Sequence, residues 1–105
     1  MHTSLEYYPF LLEIPGQLLD MIDLEVLHIP TNDENQLIVR LSHDLGKDVV
    51  VYRKDITSKR VHLCHVLRAA DLTSPQLETL NTVEKLFPSG QVVVAYDKPL
   101  KIVGN

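Results

Sequence analysis

The chain has 105 residues, enough for a single domain spanning 1–105 with its own core and too few for two. Its composition, 45% hydrophobic and 23% charged, is globular rather than disordered; apolar runs are too short for a membrane span, and one cysteine, Cys64, rules out an internal disulfide. Net charge is −4, but residues 1–39 hold no Lys or Arg beside Glu6, Glu13, Asp20, Asp23, Glu25, Asp33 and Glu34, whereas residues 40–68 hold Arg40, Lys47, Arg53, Lys54, Lys59, Arg60 and Arg68 against Asp44, Asp48 and Asp55.

The first elements are mixed. Residues 5–14, LEYYPFLLEI, carry Tyr7, Tyr8 and Phe10, and Pro9 excludes a long helix, which leaves a short helix or an extended arm. Residues 16–29 fit two periods. Leu18, Leu19, Met21, Ile22 and Val26 suit a helical face, while Ile22, Leu24 and Val26 alternate with Asp23 and Glu25 as in a strand. A helix over 16–24 that passes into a strand is the preferred reading. Residues 30–35, PTNDEN, read as a loop.

An antiparallel meander is expected next: strands over about 36–42, 47–54 and 59–67, with turns at 43–46 and 55–58. A helix from Ser58 competes for the third strand. This register sorts Leu37, Val39, Leu41, Val50, Tyr52, Val61 and Leu63 onto one apolar face. It sorts Ile38, Arg40, Val49, Val51, Arg53, Arg60, His62 and Cys64 onto a mixed one. An amphipathic helix comes after it over 74–87, with Ser74 as N-cap, Pro75 at its first position, and Leu77, Leu80, Val83, Leu86 and Phe87 as its apolar stripe. Residues 91–96 and 100–103 are expected as a C-terminal strand pair. The fold class is therefore α+β, the helix packing on the apolar face of the sheet. This order of elements is similar to that of type III secretion chaperones, a likeness of arrangement that rests on no sequence motif and would imply a small acidic dimer.

Few residues suggest chemistry. His62, Cys64 and His65 are metal-ligand types, but on a strand His65 would face away from the other two, and no second Cys/His cluster completes a four-ligand site. Cys64 sits between Leu63 and Val66 as a small buried hydrophobe would, not as an activated nucleophile. Gly16, Gly46, Gly90 and Gly104 are too scattered for a phosphate loop, so no cofactor and no enzymatic activity is expected. The basic hairpin is more suggestive. Lys54 would face Lys59 and Arg53 would face Arg60, and such like-charge pairs destabilise a ribbon unless an anionic surface meets them.

These features make a non-enzymatic protein-interaction module the leading function: an adaptor, chaperone, inhibitor or immunity-type protein acting as a homodimer. Its contacts would come from Arg53, Lys54, Lys59 and Arg60 and from the aromatic arm of Tyr7, Tyr8 and Phe10. The alternative is a small regulator binding nucleic acid through 53–60, and a small-molecule-binding protein or enzyme comes third. The N-terminus lacks a basic leader and Glu6 and Glu13 interrupt its apolar stretch, so a cytoplasmic protein with no membrane contact is expected.

Overall fold

Residues 36–42 lie within the longest helix of the computed structural model, which describes residues 4–53, 63–88 and 91–102. The chain begins with a short helix α1 (Ser4–Tyr7), a 3-10 turn (Pro9–Glu13), α2 (Gly16–Met21) and a second 3-10 turn (Leu24–Val26). Helix α3 (Asn32–Leu45) leads into strand β1 (Asp48–Arg53). A third 3-10 turn (Leu63–His65), helix α4 (Ser74–Glu84) and strand β2 (Gln91–Tyr96) complete the described elements.

The expected strand at 36–42 is therefore a correction, and local chemistry explains it. The Thr31 hydroxyl accepts a hydrogen bond from the Glu34 amide, and the Glu34 carboxylate accepts one from the Thr31 amide, closing a capping box inside the supposed loop 30–35. At its far end Gly46 stops the helix in the left-handed conformation, φ 66°, with its N–H on the Ser42 and His43 carbonyls. Between these stops Ile38, Leu41 and Leu45 fall on one buried stripe, while Val39, assigned to the core by the strand reading, stays exposed.

The class itself, α+β with an antiparallel sheet, is what the sequence indicated, but the pairing differs. Within the described residues β1 pairs with β2, Asp48 opposite Tyr96 and Arg53 opposite Gln91, rather than with its sequence neighbours. Residues 59–62 lie outside the described residues, and 63–65 form a 3-10 turn instead of continuing a third strand. Of the expected last strand 100–103, Ile102 makes an isolated bridge to Leu67, and Val103 lies outside the described residues. Helix α4 starts one residue earlier in its capping than expected. Thr73 is the N-cap, in a capping box with Gln76, and the helix ends at Glu84, so Leu77 and Leu86 are exposed while Leu80 and Phe87 are buried. With two strands among the described residues and a helix at 32–45, the element order no longer matches that of type III secretion chaperones.

Val49, Val50 and Val51 are all buried although they point alternately to opposite sides, so both faces of the sheet are covered. Helix α3 packs against β1, α4 against β2, and the two helices against each other. Among the described residues the sheet thus lacks the mixed, half-exposed face expected from the sequence. The outer edges are occupied too. Leu27 bridges Tyr52 and the His28 amide donates to the Val51 carbonyl along β1; Ala69 bridges Tyr96 and the Ala70 amide donates to Ala95 along β2. The Val93 amide donates to the Glu84 carboxylate. A lone pair of strands is marginal in water, and these edge contacts also remove donors that would recruit foreign strands.

Candidate interaction surface

The aromatic arm divides into one anchor and two flanking rings. Tyr8 is fully buried, its hydroxyl donating to the His28 carbonyl at 2.8 Å and accepting from the Val51 amide at 3.4 Å. Burial pushes its phenol far above the ordinary tyrosine pKa, with the Val51 amide working in the opposite sense. Its side chain therefore fastens the N-terminal segment to β1 and leaves no surface for a partner. Phe10 meets Tyr8 edge to face at a centroid distance of 6.5 Å, and both Phe10 and Tyr7 remain half-buried.

Beside the arm lies an apolar surface absent from the sequence-based expectation. The N-terminal segment buries Tyr8, Leu11, Ile14, Ile22 and Leu24, yet α2 itself buries none of its six residues, three of which are Leu18, Leu19 and Met21. Leu18 and Leu19 lean partly on the core, and Met21 is 56% exposed. Helix α2 packs on the 3-10 turn Pro9–Glu13, where Leu12 is 63% exposed. Glu6, Glu13 and Asp20 on the same segment are also exposed. The sequence showed these leucines as a helical face; it carried no signal that the face stays outside, because a six-residue helix has the same periodicity buried or exposed.

The other expected site residues are dispersed. Arg53 is exposed at the end of β1, opposite Gln91; Arg60, its expected partner across a hairpin, lies outside the described residues. Lys54, Lys59, Arg60 and His62 lie outside the described residues. Cys64 and His65 lie in the 3-10 turn Leu63–His65, where the strand alternation used to separate them does not apply. Among the described residues no group of three or more His, Cys, Asp or Glu side chains is arranged to hold a metal, and no helix is long and apolar enough to cross a membrane.

Two polar clusters lie elsewhere in the fold. His28 Nε2 lies 3.0 Å from Glu34 Oε1, the same oxygen that caps α3, and the His28 ring meets Phe87 edge to face. Burial works against the charged form of Glu34, but the Thr31 amide and His28 outweigh it and hold the carboxyl below its usual range. At the end of the sheet Lys47 and Lys101 approach Asp97 at 3.7 and 3.9 Å, and Lys98 approaches Asp48 at 3.9 Å. Burial raises the Asp48 carboxyl above its ordinary value; Lys98 opposes this and nearby Glu13 adds to it. Both clusters act as caps and ties of the fold.

Nothing matches this chain among protein-family models, curated proteins or solved structures. The surface of α2 and the preceding turn therefore rests on its own chemistry.

Proposed function

We propose that this chain is a non-enzymatic protein-interaction module of the adaptor, chaperone, inhibitor or immunity type. One observation carries the reading: Met21 on α2 and Leu12 on the 3-10 turn against which α2 packs are exposed, with Leu18 and Leu19 only partly buried. Single exposed apolar residues are ordinary, and Val39, on the outer side of α3, is an example. Neighbouring elements that together present several large apolar side chains are the usual mark of a contact surface. His28 and Glu34 meet at the start of α3 and Asp48 meets Lys98, contacts that tie elements of the fold together.

Homodimerisation remains part of this proposal in altered form. The exposed sheet face that suggested it is covered, so a second copy would have to bury the α2 surface instead. The test is purification from native extract of the wild type and of the double variant Leu12→Ser/Met21→Ser, with light scattering of each. A partner, or a doubled mass of about 24 kDa from the 11.9 kDa chain, should be retained by the wild type and lost by the variant. Identical partners and identical masses for both proteins would refute the reading.

A further inference from the structure

We draw no further inference here: the strongest candidate, the pair of exposed apolar side chains Leu12 on the 3-10 turn Pro9–Glu13 and Met21 on the helix α2 that packs against it, belongs to the surface already described, and nothing in the structure shows what covers it.

Discussion

Replacing Tyr8 with Phe isolates the tie between the N-terminal segment and the sheet. The ring stays, so the packed volume is nearly unchanged and no cavity opens. What is lost is one hydroxyl that bridges the His28 carbonyl and the Val51 amide in a fully buried position. The shorter bond, 2.8 Å to His28, contributes on the order of 1 kcal/mol net; the longer one, 3.4 Å from Val51, contributes less. Leaving the Val51 donor buried without its acceptor adds a desolvation cost, so the total is about 2 kcal/mol. For a domain of this size that lowers Tm by roughly 8 °C. Urea unfolding should show a lower midpoint with an unchanged slope, because the same surface is exposed on unfolding. Tyr7, half-buried, serves as the control: Tyr7→Phe should stay within about 0.5 kcal/mol. A Tyr8→Phe protein as stable as the wild type would refute the claim that this hydroxyl pins the arm to β1.

Two further outcomes are expected from the fold. Gly46→Ala should cost about 1 kcal/mol in thermal unfolding. An added Cβ meets no atom within 4 Å, so the whole effect comes from holding φ at 66°, and Gly46→Asn should recover part of it. Asp48→Asn should raise Tm at neutral pH. The Asp48 carboxyl is raised in the folded protein, so its charged form opposes folding above its folded pKa, and the advantage of the amide should shrink as acidification protonates the wild-type carboxyl. An asparagine variant with the same Tm difference at acidic and neutral pH would exclude that origin.

How much of this was legible in the sequence varied by element. The β-branched run Val49–Val51 and the run Val92–Val94 identified both strands, and Ser74-Pro75 identified the start of α4 to within one residue of its true cap, because these signals are local. Residues 36–42 alternate over a window too short to separate a strand from one face of a helix, and read as a strand. The deciding signals were the capping box at Thr31 and Glu34 and the glycine at 46, which lie outside that window. For the candidate site, the acids and the apolar residues of 6–21 were visible as types, but their exposure was not.

The sequence by itself determined the α+β class, the two strands, the start of α4 and the absence of Lys and Arg from residues 1–39, since each depends on residue type and short-range spacing. The tertiary structure alone decided that β1 pairs with the distant β2, that Tyr8 is an internal anchor, and that α2 is only partly buried, with Met21 exposed. The physical reason is common to all three. Strand partners and burial are set by competition among long-range contacts for the same hydrogen bonds and apolar area, and the local signals that led to a pairing of β1 with 36–42 and of 91–96 with 100–103 carry no information about that competition.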